Sequence, residues 1–352
     1  MHHNTIDINK KRIGYGHAPY VIAEAGVNHN GKLHIAKRMI IAAKKAGADA
    51  VKFQTFKANE VTIAHNQMAK YQQINTRAQY NQLTLLKKLE LKNDFYPSLL
   101  KLSHRIGITF LSTPHGGFNS IDLLKQYNIP AFKFGSGDLT NLPVLTYAAK
   151  FGKPMIISTG MATLNEVKSA IRVISKTGNK SIIVLHATTN YPCPSSEVNL
   201  NAMVTMIKKL FVPIGYSDHT LGIHTPLMAA TLGACMIEKH VTLDRNMSGP
   251  DHKASATFSE LKQLCYQLSL VPVILGKSEK SPNESELKML SKVRKSIVSL
   301  REIQKGERFT LNNITIKRPA TGIAPKHFEK LLSKTAKKKI SADRPLTAND
   351  YE

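Results

Sequence analysis

Three cysteines in 352 residues, Cys193, Cys235 and Cys265, are few, odd in number and scattered, with no CxxC pair. That usage suggests neither a disulfide framework nor a zinc knuckle, and a reducing compartment such as the cytoplasm fits. No window approaches about eighteen uninterrupted apolar residues, and the N-terminal MHHNTIDINKKRIG has no apolar core, so neither a membrane span nor export is expected. Acidic residues are scarce, 24 against 49 Lys and Arg, for a formal net charge of +25. That imbalance suits either nucleic acid or a small anionic substrate held on a basic surface, and charge alone does not choose. At 42% hydrophobic residues the chain is too apolar for disorder, and its length allows one barrel-sized domain plus a small module.

What is present is a repeating pattern. Short apolar runs rich in β-branched residues occur at 20–26, 50–56, 108–114, 131–137, 154–160, 182–188, 212–218 and 235–241. Between them lie amphipathic segments such as LHIAKRMIIAAKKAG, which puts Ile35, Met39, Ile40 and Ala43 on one face. Several close on glycine, as in KKAGAD, SHRIGIT, AKFGKP and ATLGAC, the expected signal for a helix C-cap. Eight such units predict an α/β fold, a (β/α)8 TIM barrel over 1–275, in preference to an open doubly wound sheet. A polar linker at 276–290 precedes a small β-rich domain at 291–352, with a turn at Gln304 to Glu307. Lys292 to Glu352 carry 15 basic and 6 acidic residues, yet show neither aromatic interleaving nor a nucleic-acid motif.

In a barrel of this kind the site lies at the C-terminal strand ends. Every predicted strand ends in polar groups: Glu24; Lys52 and Gln54; Thr113; Lys133 and Ser136; Ser158 and Thr159; Thr189, Asn190 and Tyr191; Ser217 and His219; Glu238 and His240. A polar strand end is ordinary by itself, but eight together define a mouth. Lys52 and Lys133 sit in apolar runs, where a desolvated ammonium needs an anionic partner, and the hydroxyls offer donors to phosphate or carboxylate oxygens. A small phosphorylated carboxylate satisfies both requirements. A Schiff-base role for Lys52, as in an aldolase, is the competing chemistry. His219 and His240 end adjacent strands, so they form either a divalent-metal site or a hydrogen-bonded pair.

At this point the chain resembles the bacterial sialic acid (N-acetylneuraminate) synthases. The likeness rests on IAEAGVNHNG, AGADAVKFQTF, FLSTP, FKFGSGDLTNLP, ISTGMAT, LHATTNYPCP, IGYSDHTLG, IEKHVTLDRNMSGPDHKAS and IKRPATGI. It implies condensation of phosphoenolpyruvate with N-acetylmannosamine to give sialic acid and phosphate. The tail is similar to the antifreeze-like SAF domain, which in that family closes over the partner's barrel in a domain-swapped homodimer. Carried over residue by residue, the resemblance implies that Lys52, Thr113, Lys133, Ser136, Ser158, Thr189, Asn190 and Ser217 hold phosphoenolpyruvate. Gln54, Tyr191, Asp251 and Arg318 would meet the sugar, the last from the other subunit. His219 and His240 would ligate manganese, with magnesium or cobalt as alternatives, and Glu24 matches the family's essential glutamate. Many members have Gly-Ser-Gly-Glu where this chain has FGSGD, so Asp138, also a catalytic candidate, offers a shorter carboxylate.

The expected reaction is attack of phosphoenolpyruvate C3 on a polarised sugar aldehyde, water addition at C2 and phosphate loss by C–O cleavage. Glu24 either steadies the cationic C2 or deprotonates the water. The alternative within the family is a legionaminic acid synthase taking 2,4-diacetamido-2,4,6-trideoxymannose, and pseudaminic acid synthase fits less well. From another class, a basic non-catalytic binding protein keeps the fold without turnover. No nucleic-acid or membrane partner is expected.

Overall fold

The computed structural model describes residues 5–76 and 81–352. Residues 1–4, the start of the N-terminal stretch without an apolar core, lie outside them. By its contacts the chain divides into two compact units, 1–276 and 277–352.

The first unit opens with an antiparallel hairpin, β1 (Ile6–Ile8) and β2 (Lys11–Ile13). It is absent from the sequence reading because three-residue strands are too short to register an alternating pattern. Eight parallel strands follow: β3 (Tyr20–Gly26), β4 (Ala50–Thr55), β5 (Thr109–Pro114), β6 (Phe132–Phe134), β7 (Met155–Ser158), β8 (Ile182–Ala187), β9 (Ile214–Asp218) and β10 (Met236–Thr242). A two-residue strand, β11 (Ala256–Thr257), adds to β10. The order β5-β4-β3-β10-β9-β8-β7-β6 runs almost full circle, and β5 and β6 lie side by side without a continuous ladder. The result is a nearly closed (β/α)8 barrel, not an open sheet. Strand β6 stops well short of the expected 131–137, because the chain turns into a 3-10 helix at Ser136–Asp138.

Side-chain parity builds the interior. Successive strand residues point to opposite faces, so alternate positions enter the barrel. Tyr20, Ile22, Ala50, Leu111, Ala131, Ile156, Ile183, Leu185 and Met236 form one apolar cluster, joined by Ile6, Ile8 and Ile13 of the hairpin. Two residues further along the same strands the same parity brings Glu24, Lys52, Thr113, Lys133, Ser158 and Glu238 to the mouth. The opposite parity meets the helices. In Leu33–Ala46, Ile35, Met39, Ile40 and Ala43 are buried, and Gly47 caps the end at φ 89°, accepting a conformation that L side chains rarely adopt. No helix among the described residues is long and apolar enough to cross a membrane.

The second unit pairs β12 (Ser296–Ser299) with β13 (Ile314–Lys317) in antiparallel fashion around Ile297, Ile303, Phe309, Leu331, Ile340 and Leu346. The expected turn is present, with the Glu307 N–H donating to the Gln304 carbonyl at 3.0 Å. The segment read as a linker at 276–290 is partly helical, since a helix covers Glu284–Val293. Its start is a capping box: the Asn283 side chain accepts the Glu286 N–H at 2.9 Å, and Glu286 accepts the Asn283 N–H at 3.0 Å. The polar composition that suggested a linker is therefore helix-initiating chemistry.

Candidate active site

The strand ends of the barrel surround a cavity of about 280 Å3. At its floor four charged side chains are packed together. The Lys52 ammonium lies 2.7 Å from Glu24 Oε2, donates to Thr113 Oγ1 at 3.0 Å and is 3.8 Å from Glu238 Oε1. Lys133 donates to Ser158 Oγ at 2.8 Å and to the Phe134 carbonyl at 3.1 Å, and is 3.4 Å from the same Glu238 oxygen. Ser217 Oγ also donates to that oxygen, at 3.1 Å. The anionic partners that the two desolvated lysines need are therefore supplied in part within the protein itself, by Glu24 and Glu238.

Burial and charge pull these groups in different directions. Burial raises the Glu24 carboxyl to about 7 against the pull of Lys52. Burial lowers Lys133 to about 8, with Glu238 opposing. Burial also works against an ionised Glu238, but Lys133 and Lys52 outweigh it and hold the carboxyl below its usual range. Lys52 likewise feels burial, yet Glu238 and Glu24 keep its pKa above the ordinary value. A Schiff-base role needs a free amine, and this environment keeps Lys52 an ammonium.

A second corner is aromatic. The His219 and His240 rings lie 5.3 Å apart between centres, and Tyr191 packs 4.2 Å from the first and 5.5 Å from the second. His219 Nδ1 is 2.6 Å from the Thr188 carbonyl. A carbonyl only accepts, so Nδ1 carries the proton and Nε2 keeps its lone pair. His240 Nδ1 has no hydrogen-bond partner, with Asp251 Oδ2 at 3.9 Å. Burial lowers the pKa of both imidazoles, further for His240, and raises Asp251 to about 6. Among the described residues no three His, Cys, Asp or Glu side chains are grouped as a metal cage.

The cavity is lined by Glu24, Lys52, Gln54, Thr113, Lys133, Ser136, Ser158, Thr189, Tyr191, Ser217, His219, His240 and Asp251, so most of the expected site converges. Its rim is tight at Gly160, whose N–H donates to Ser136 Oγ at 2.9 Å. A Cβ there would lie 2.2 Å from Thr189 Oγ1, which explains the glycine in ISTG. Four residues fall elsewhere. Asn190 is exposed and donates to Glu197 Oε2 at 3.0 Å, because β8 ends at Ala187 and the loop turns away. Thr159 donates to the Leu185 carbonyl at 3.0 Å and lines a neighbouring cavity. Asp138 sits one side chain removed, 3.6 Å from Nδ1 of His115, which does line the cavity. Arg318 follows β13 in the second unit.

Residues 39–280 match the model of the NeuB family, and 294–352 match the SAF domain. The chain belongs to the NeuB family. With its C-terminal SAF domain it is an enzyme of the nonulosonate synthase class, which sets aside the non-catalytic reading. An N,N'-diacetyllegionaminic acid synthase of Campylobacter jejuni is 47% identical over 325 residues, 92% of this chain and 97% of that one. A protein of the same description from Legionella pneumophila is 41% identical over 333 residues, 93% of each. The crystal structure of an N-acetylneuraminic acid (sialic acid) synthetase from Leptospira borgpetersenii in complex with citrate superposes with a TM-score of 0.73 at 34% identity, covering 82% of this chain and 96% of that one.

The cavity also has features that the strand-end pattern alone did not reveal. Glu238 was visible as a strand-end carboxylate, but only the fold reveals it between two lysines and a serine. Tyr71, 5.4 Å from Tyr191, and an apolar wall of Val27, Leu86 and Leu89 complete the lining. Val27 lies in the loop after β3, whereas Tyr71 comes from the short helix Lys70–Thr76 and Leu86 and Leu89 from the helix Gln82–Leu89, so all four lie outside the strand ends that the pattern marked.

Proposed function

We propose that the chain is an N,N'-diacetyllegionaminic acid synthase, condensing phosphoenolpyruvate with 2,4-diacetamido-2,4,6-trideoxymannose. The observation that carries this choice over N-acetylneuraminate synthase is the 47% identity to the Campylobacter jejuni legionaminic enzyme along 92% of the chain. The cavity agrees with it: Val27, Leu86 and Leu89 present an apolar wall that suits a C6 methyl and an acetamido methyl in place of hydroxyls.

In this reading Lys52, Lys133, Thr113, Ser136, Ser158, Thr189 and Ser217 receive the phosphate and carboxylate of phosphoenolpyruvate. Gln54, Tyr191 and Asp251 meet the sugar. His219 and His240 fit a divalent cation such as manganese: one ring has its Nδ1 proton committed to the Thr188 carbonyl, which leaves Nε2 free to ligate, and the other has an unpartnered nitrogen. When bound, the cation supplies Lewis acidity at the sugar aldehyde oxygen. Glu24, hydrogen-bonded by Gln54 at 3.4 Å, is placed to steady positive charge at C2 or to take the proton of the attacking water. Asp138 acts through His115 at the rim. Arg318 reaches the sugar from the SAF domain of a partner subunit in a domain-swapped homodimer working in the cytoplasm.

The test is a sugar panel with phosphoenolpyruvate and manganese, read as phosphate release. The diacetamido trideoxy sugar should exceed N-acetylmannosamine in kcat/KM by on the order of 100-fold, the scale at which one or two groups in a fitted pocket discriminate. A preference for N-acetylmannosamine would reject the proposal and restore the neuraminate reading.

A further inference from the structure

The layer between barrel and helices is apolar almost throughout, yet one ion pair is buried in it. Lys239 and Asp218 have the parity of Tyr216, Ile237 and Val241, which belong to the helix-facing core. They are register partners on adjacent strands β9 and β10. Lys239 Nζ lies 2.5 Å from Asp218 Oδ2, with side-chain exposures of 1% and 0%. Burying two charges is unfavourable unless every donor and acceptor is matched, and well-packed apolar residues would serve packing as well.

Here the matching is extensive and local. Asp218 Oδ1 accepts from the Tyr216 hydroxyl at 3.1 Å, from the Thr220 N–H at 3.0 Å and from Thr220 Oγ1 at 2.9 Å. Lys239 also donates to the Thr220 carbonyl. The residues involved bracket the two imidazoles: Asp218 and Thr220 flank His219, and Lys239 precedes His240. The β9–β10 ladder ends at the Lys239–Asp218 pair itself, so His219 lies beyond regular strand pairing. The bond from Lys239 to Thr220 is what ties the β9 rim to β10 past that point. From the other side the Thr188 carbonyl holds the His219 ring.

We propose that Lys239 and Asp218, with Thr220, are positioning residues that fix the separation of His219 and His240 for a divalent cation. The inference rests on the metal reading of that histidine pair. A charged pair is suited to this role because its hydrogen bonds are directional and reach past the end of the ladder, which apolar packing does not do.

The experiment measures Mn2+ affinity of the full-length protein without substrates, by electron paramagnetic resonance of free Mn2+, beside unfolding midpoints of the same samples. Lys239→Met should weaken Mn2+ binding about 10–100-fold, the usual scale for loss of a group that supports a ligand. Thr220→Val, which keeps the ion pair and loses one hydrogen bond, should weaken it less while the protein stays folded. The double variant Lys239→Met with Asp218→Leu leaves no orphaned charge, so its unfolding midpoint should return toward wild type while Mn2+ affinity stays low. Recovery of both together would reduce the pair to a packing element and overturn the proposal. Unchanged affinity in Lys239→Met and Thr220→Val would overturn it too. Wild-type protein that turns over sugar without binding Mn2+ would overturn the metal reading itself, and the positioning role with it.

Discussion

Replacing Lys133 by methionine probes the charge balance of the buried quartet. Lys52, Lys133, Glu24 and Glu238 are formally neutral together, and Lys133 uses its three donors on Ser158, Phe134 and Glu238. Without that ammonium, Glu238 keeps only Lys52 at 3.8 Å and the Ser217 hydroxyl at 3.1 Å, in a site with almost no water contact. Orphaning one member of a buried pair costs about 3–5 kcal/mol. Glu238→Leu alone should cost a similar amount, because two ammoniums then share Glu24. The double variant leaves the 2.7 Å Lys52–Glu24 pair intact and should fall within about 2 kcal/mol of wild type. Urea unfolding followed by circular dichroism, assembled as a double-mutant cycle, gives the answer. A double variant whose loss equals the sum of the single losses would show that Lys133 and Glu238 do not act as a unit and refute the reasoning. Catalysis should be lost in all three variants, since both groups line the cavity.

Two further outcomes are expected. Burial lowers the His29 pKa to about 4, and its Nδ1 accepts the Gly31 N–H at 3.1 Å, so the folded state holds it neutral. A depressed histidine pKa gives stability that is present above pH 6.5 and lost as pH falls toward 4, here about 3 kcal/mol. His29→Gln should flatten that part of the stability profile relative to wild type, and parallel profiles by urea titration would contradict the assignment. On the swapped-dimer reading, Arg318→Ala should raise the KM for sugar far more than that for phosphoenolpyruvate, whereas equal changes in steady-state kinetics would reject a sugar contact.

The barrel was legible because parallel strands covered on both faces read as short apolar runs, and because Gly47 and Gly107 mark helix ends with left-handed backbone. The mouth was legible for a related reason: a polar residue that interrupts an apolar strand near its end has few places to point, which is how Lys52, Lys133, His219 and His240 could be chosen. Fine bounds failed where local chemistry changed within a residue or two. The turn after Gly135 shortened β6, and the Asn283–Glu286 capping box turned an apparent linker into helix.

The sequence by itself determined the periodicity, and periodicity determined the fold and the ring of strand-end polar groups. Only the tertiary structure decided partners. Lys133 and Glu238 are far apart in the chain, as are Lys239 and Asp218, and whether such charges meet depends on barrel closure and strand register, which no local pattern encodes. The same holds for Asn190, whose neighbours Thr189 and Tyr191 line the cavity while its own side chain turns to Glu197. One peptide unit of loop geometry separates those outcomes, and long-range packing sets it.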